Sequence, residues 1–296
     1  MLRSVRTELL EISFHEDGPS DGSPVLLLHG WPDAPVGWSQ IARQLNAQGW
    51  KTIVPFLRGS QPTRFLSDAT PRFGGGVALA QDAIELANSL GIDRFAVVGH
   101  DWGARAAYSM GALYPERITS IAGLALAYQP HATFNIPEFA QSRRFWYQWF
   151  ICTDGGAQAV REDPIGFARI QWETWSPAGW FSEEEFRAAA ESFKSSDWAA
   201  ITLSAYRTRW IKGEPFDPKY LELQGRLGEV EHLSTPTLMI QGGADMCDDA
   251  KESENLDACF TSYYQRELLK GIGHFPHREA PREVAELLLG FLAQNQ

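Results

Sequence analysis

Short apolar runs recur along the first part of the chain, and between them apolar positions return every three or four residues. Pro24 introduces Val25-Leu26-Leu27-Leu28, residues 36–48 carry a helical spacing that stops at Gly49, and 51–56 are apolar again. Residues 74–90 repeat the helical spacing with Gly91 just past its end, where a C-terminal glycine belongs. Phe95-Ala96-Val97-Val98 is the next apolar run, a helical stretch leads to Tyr114-Pro115, and 119–127 are apolar once more. Continuous, partly β-branched runs of this length read as strands buried on both faces, and the stretches between them as helices. Strand and helix in alternation predict a largely parallel sheet with helices on both sides. Residues 3–14 alternate loosely and end at His15-Glu16-Asp17-Gly18, which suits an antiparallel pair at one sheet edge.

The alternation breaks after residue 130. From 131 to 230 the chain is helical, aromatic and interrupted by Pro and Gly, with helices predicted at 137–152, 164–174, 182–193 and 197–211. Ser182 followed by Glu185 is a capping signature for the third of them. About a hundred residues are too many for a loop inside a compact fold, so this segment is expected to be a helical cap over the strand ends. Residues 235–240 then resume the sheet, 262–269 read as its last strand, and 283–293 as a closing amphipathic helix. The expected division is an α/β core of residues 1–130 and 231–296 with the cap at 131–230.

Charge and composition narrow the function. The 296 residues carry 26 Lys+Arg against 37 Asp+Glu, a net charge of −11 without acidic or basic runs, which argues against nucleic acid as a partner. The three cysteines, Cys152, Cys247 and Cys259, cannot all pair and match no metal spacing, so a reduced, cytoplasmic protein with no metal or other cofactor is expected. No apolar stretch has the length of a signal peptide or a membrane span, and no membrane partner is expected. Many of the aromatic residues fall between 139 and 210, which hints at a site for a small, mostly apolar organic substrate. A monomer or a homodimer fits this composition.

The stretch that carries chemistry is Gly99-His100-Asp101-Trp102-Gly103, directly behind a strand and directly before a helix. Glycines two positions either side of a central residue are the spacing of a nucleophile elbow, in which the central side chain is held out of the sheet at a strained turn. Here the central residue is Asp101. An ionised carboxylate can attack a carbon electrophile and form an ester; the competing reading is that Asp101 only caps the helix behind it. Gln241-Gly242-Gly243-Ala244-Asp245 and Lys270-Gly271-Ile272-Gly273-His274 leave two later strands at the same sheet end, where ligands of open α/β sheets bind. Asp101 would be the nucleophile, His274 the base for the water that cleaves the ester, and Asp245 the group that orients the imidazole. His277 competes with His274 for this role, and Asp248 and Asp249 with Asp245. Trp31 and Trp102 would offer backbone N–H groups to an oxyanion, the former from the loop His29-Gly30-Trp31-Pro32.

GHDWG at 99–103, HGWP at 29–32, GGAD at 242–245 and GIGH at 271–274 resemble the aspartate-nucleophile α/β-hydrolases, meaning the epoxide hydrolases and haloalkane dehalogenases. The resemblance covers nearly the whole chain and implies the α/β-hydrolase fold, the Asp101, Asp245, His274 triad and no cofactor. Tyr147-Gln148 and Tyr206-Arg207 resemble the ring-opening tyrosine motifs of soluble epoxide hydrolases, which implies that both phenols protonate an epoxide oxygen and that His29, Pro32, Gln148 and Trp149 border the substrate. Fluoroacetate dehalogenases are also similar, and imply Trp149 and Tyr206, with Trp102, as halide contacts. That reading makes dehalogenation the alternative. Those enzymes carry an Arg directly after the nucleophile; here it is Trp102, and only Arg105 of that pair remains, which implies a neutral substrate. A hydrolase-like binding protein that keeps the pocket without turnover is the alternative from another class.

Overall fold

The computed structural model describes residues 1–295. Among them nine strands form one sheet: β1 (Leu2–Arg6), β2 (Leu10–Asp17), β3 (Pro24–Leu28), β4 (Lys51–Pro55), β5 (Arg64–Phe65), β6 (Phe95–His100), β7 (Ile118–Leu124), β8 (Thr237–Gly242) and β9 (Tyr264–Leu269). The order across the sheet is β1-β2-β4-β3-β6-β7-β8-β9, with β5 paired to β2. From β4 to β9 every neighbouring pair is parallel, whereas β1, β2 and β5 are antiparallel additions at one edge. In register, Leu26 of β3 lies between Ile53 of β4 and Val97 of β6.

The two-residue period of the strands divides their side chains between two cores. Val25, Leu27, Ala96 and Val98 point to the face covered by α1 (Ser39–Ala47) and by the closing helix, and pack on Ile41, Leu45, Leu288 and Phe291. Leu26, Leu28, Phe95 and Val97 point to the other face, covered by α2 (Gly76–Ser89) and α3 (Trp102–Leu113). Both faces are dry, which is why these strands read as unbroken apolar runs.

Between β7 and β8 lie α4 (Phe139–Arg144), α5 (Trp146–Cys152), α6 (Asp154–Glu162), α7 (Pro164–Thr174), α8 (Glu183–Ala190), α9 (Ser196–Trp210) and α10 (Leu221–Gly228). After β9 come α11 (Pro276–Glu279) and α12 (Pro281–Gln294). Aromatic residues of the insertion, among them Tyr147, Trp172, Trp198 and Tyr206, join the same buried cluster as Trp31, in the turn after β3, and Trp102, the first residue of α3. Each buried side chain of this size contributes about 1.5–3 kcal/mol, so packing holds these helices against Trp31 and Trp102.

Three helical details differ from the pattern-based expectation. The helix expected at 137–152 is two, α4 and α5, broken at Phe145 (φ −82°, ψ 20°). No helix was expected at α6 or α10, because Gly155-Gly156 and Gly225 weaken the pattern by about 1 kcal/mol per glycine. Tertiary contacts overrule that weakness. Thr153 accepts a hydrogen bond from Gly156 N–H at the start of α6, and Leu227 of α10 packs with Phe73, Val77, Leu113 and Tyr220. No helix among the described residues is long and apolar enough to cross a membrane.

Candidate active site

The site begins where β6 meets α3. Asp101 occupies the single residue between them with φ 50° and ψ −112°, a conformation that costs an L-residue of order 1–3 kcal/mol. The chain can turn this sharply because of its glycines. A Cβ on Gly99 would stand 2.1 Å from Gly103 O, and one on Gly103 2.2 Å from Leu28 O. Asp101 N–H donates to Leu124 O (3.0 Å) and Asp101 O accepts Arg105 N–H (3.0 Å), so the turn is tied to β7 on one side and α3 on the other. Asp101 has no side-chain bond to the helix it precedes; its Oδ1 instead accepts the backbone N–H of Trp31 at 2.8 Å. The capping reading of Asp101 therefore fails.

His274 follows β9 and is fully buried, with Nε2 3.7 Å from Asp101 Oδ2. Its Nδ1 donates to Asp245 Oδ2 at 2.8 Å. Asp245 is fixed in turn by the N–H groups of Cys247 (2.7 Å) and Asp248 (3.0 Å) on Oδ1 and by Gln241 Nε2 (3.3 Å) on Oδ2. Burial opposes a charge on His274, but the Asp245 and Asp101 carboxylates outweigh it and hold its pKa well above the usual value. His274 Nε2 has no protein partner, so it faces the gap beside Asp101.

The competing groups are engaged elsewhere. His277 donates from Nε2 to Asp33 Oδ2 (2.8 Å), and Asp33 is also held by Arg278. Asp249 pairs with Arg144 and caps its own turn. Asp248 lines the cavity in front of Asp101; burial, reinforced by Asp245, raises its pKa to about 7.

The wall opposite is built by α5 and α9. Tyr147 and Tyr206 are both buried, their rings meeting edge to face at 5.4 Å. Tyr147 Oη accepts from Gln148 Nε2 (2.9 Å) and Tyr206 Oη from Trp102 Nε1 (3.2 Å). A phenol oxygen that accepts an N–H keeps its own proton for another acceptor, and the one beside Tyr147 is the weakly accepting Cys247 Sγ at 3.7 Å. Burial pushes both phenols up, the Cys247 thiol adding to the effect at Tyr147 and the Asp101 carboxylate at Tyr206, so both are protonated near neutrality. The cavity between the walls measures about 320 Å³; Asp101, Trp102, Tyr147, Gln148 and Tyr206 line it, together with Arg105 and Arg209.

Three residues expected at the substrate are not on this cavity. His29 is buried with Nδ1 donating to Gly30 O (2.9 Å) and Nε2 accepting Leu57 N–H (3.1 Å); burial lowers its pKa to about 4, and it ties the β3 loop to the β4 loop. Pro32 presents its carbonyl to Trp172 Nε1 (2.7 Å). Trp149 packs tilted against Trp210 (4.8 Å) and spends its indole N–H on Ser142 O (2.8 Å), lying on the side of α5 away from the cavity-lining Tyr147 and Gln148. Trp149 is thereby removed as a halide contact, and the Trp102 indole is taken by Tyr206. Conversely, pattern reasoning missed Arg209, which sits three residues past Tyr206 in α9, and it missed Ser176 and Glu279. Ser176 Oγ accepts His274 N–H (2.9 Å) and donates to Glu279 Oε1 (2.7 Å), and Glu279 also takes the N–H groups of Gly273 and Phe275.

Comparison with known proteins agrees with this architecture. Residues 23–281 match the family model described as alpha/beta hydrolase fold. Epoxide hydrolase 2 of Siraitia grosvenorii is 33% identical, with 95% of each chain covered, and Epoxide hydrolase B of Mycobacterium tuberculosis 24% identical, with 93% of each covered. A crystal structure from Klebsiella pneumoniae, described as a candidate epoxide hydrolase, superposes with a TM-score of 0.91 at 33% identity over 98% of this chain and 96% of that one. The chain belongs to the α/β-hydrolase fold family, on its epoxide-hydrolase side, and is a hydrolase.

Proposed function

We propose that the protein opens a small organic epoxide to a vicinal diol through an aspartyl ester, with residues 131–230 acting as a cap over a core of 1–130 and 231–296. The observation that carries this reading is the pair of buried, protonated phenols on the same 320 Å³ cavity as Asp101: Tyr206 Oη has no acceptor among the described residues, and Tyr147 Oη has only the weak partner Cys247 Sγ at 3.7 Å. Asp101 Oδ2 attacks an epoxide carbon while Oδ1 stays on the Trp31 N–H. The breaking C–O bond leaves charge on the epoxide oxygen, and Tyr147 or Tyr206 supplies the proton as it develops.

The second half-reaction follows from a change in charge. Esterified Asp101 is neutral, so one of the two attractions that hold a proton on His274 disappears and its Nε2 becomes available as a base. His274 takes a proton from water, the hydroxide adds to the ester carbonyl, and Asp245 balances the imidazolium. The tetrahedral oxyanion forms on Oδ1, where the N–H of Trp31 and the free first N–H of α3, that of Trp102, can hold it. As the intermediate collapses the ester C–O bond breaks and His274 returns its proton to the departing alkoxide; the diol leaves, the water oxygen stays in Asp101, and the second water proton passes from that carboxyl group to the tyrosinate left by ring opening. In a single turnover in heavy-oxygen water, label should therefore enter Asp101 and not the diol. Label found in the diol would mean direct attack of water on the epoxide and remove Asp101 as nucleophile.

A further inference from the structure

Two cations line this cavity without an ion-pair partner. Arg105 lies one helical turn beyond Asp101 on α3, and Arg209 reaches the same space from the end of α9. Among the described residues, neither guanidinium has a carboxylate within ion-pair distance. Arg105 Nη1 donates only to Gln129 Oε1 (3.4 Å) and Arg209 Nη1 only to Gln148 Oε1 (3.2 Å), and the Nε of each is buried with no partner. Two other enclosed arginines differ: the buried Arg58 forms a two-bond pair with Asp82 (2.6 Å each), and Arg278 is paired with Asp33 (2.5 Å). Both unpaired guanidinium groups face the ring of Phe134, at 4.6 Å and 4.0 Å, which leaves their N–H edges free. Burial and then the charge of Arg209 lower the pKa of Arg105 to about 10, and burial lowers that of Arg209. Both remain cationic at neutral pH.

Holding two mutually repelling, half-buried cations beside one cavity costs energy unless something compensates. Asp101, and Asp248 to the extent that it is ionised, attract them across the cavity without touching them, and the same carboxylates would repel an anionic substrate. A pair of cations offsets that repulsion where one would not. We propose that Arg105 and Arg209 form a carboxylate-binding subsite facing Asp101, so that the substrate is a small epoxide bearing a carboxylate. This deepens the epoxide-hydrolase reading and rests on it. It also replaces the neutral substrate implied by the loss of an Arg beside the nucleophile, since the helical insertion supplies the second cation from the opposite wall.

The test compares 2,3-epoxybutanoate with 2,3-epoxybutanamide, which differ in charge and hardly in shape. Wild-type kcat/KM should favour the acid by about 10- to 100-fold, as one or two charge-assisted contacts supply. In R209M the ratio should collapse toward one, and R209K should keep part of it. Because Arg209 also donates to Gln148, which holds Tyr147, the amide rate reports any disturbance of the phenol and the ratio isolates the charge. If R209M does not fold, R209Q carries the same comparison. A second arm needs no turnover: calorimetric binding of propanoate should exceed that of propanamide in wild type and lose this preference in the variant. Anion-selective binding with no diol from either epoxide would keep the subsite and sink the epoxide reading. Equal handling of acid and amide by wild type, or a preference unchanged in the variants, would overturn the subsite.

Discussion

One wall of the cavity is made by strand ends and the other by helices α5 and α9, and the two hold their reactive groups by different means. On the strand wall the backbone does the holding. Asp101 is fixed by its own φ and ψ, by two glycines at contact distance and by bonds to Leu124 and Trp31. On the helical wall one side chain holds the next: Trp210 and Arg209 hold Gln148, Gln148 holds Tyr147, and Trp102 holds Tyr206. A backbone-fixed group moves little when its neighbours change, whereas members of a side-chain chain are coupled and their substitutions do not add. The strand wall therefore carries steps that cannot be shared, and the helical wall carries steps in which one member can cover for another.

The sharpest break in this comparison is at His274. Its ring is the one base within 4 Å of Asp101 among the described residues, so His274→Gln should abolish turnover while leaving ester formation intact. Intact-protein mass spectrometry after mixing with an epoxide should show a stoichiometric adduct on Asp101 that persists. Normal turnover in this variant would transfer the role to another group, with His277 excluded only if His277→Gln is then also active.

How much of each wall was legible follows from the same contrast. Gly99, Asp101 and Gly103 announce themselves because a steric requirement between adjacent backbones is written at fixed offsets in the chain. Asp245 and His274 follow glycine-containing turns directly off their strands, so position alone selects them from Asp248, Asp249 and His277. On the helical wall there is no such local rule. Tyr147, Tyr206 and Trp149 were visible only through resemblance, and for Trp149 the resemblance fails because its indole is spent on Ser142 and packs against Trp210. Arg209 carries no sequence signal that separates it from Arg207, which pairs with Glu214 at the surface. Ser176 and Glu279 are about a hundred positions apart and meet only in the fold.

The next effect in size tests sharing on the helical wall. Tyr147→Phe or Tyr206→Phe alone should slow ester formation modestly, because the other phenol still faces the cavity. The double variant should lose the general acid altogether, about 10²- to 10⁴-fold in the rate of ester formation measured by rapid quench. If one single variant already shows the full loss, the phenols do not cover for each other, and the side chain concerned is as indispensable as a strand-wall group.

The smallest effect concerns the place where the walls touch. Ser176 belongs to the helical insertion, yet its hydroxyl accepts the backbone N–H of His274 and donates a hydrogen bond to Glu279. Ser176→Ala leaves that buried N–H without a partner, a loss of about 1 kcal/mol, while Glu279 keeps the N–H groups on either side through Gly273 and Phe275. The histidine loop should loosen and not collapse, with a melting temperature lower by about 2–4 °C. Because only His274 depends on this contact, ester hydrolysis should slow by roughly tenfold or less while ester formation keeps its wild-type rate, so a partial adduct should build up at steady state. Slower ester formation in Ser176→Ala would show instead that the serine supports the insertion and its phenols, and that the two walls are less separable than their construction implies.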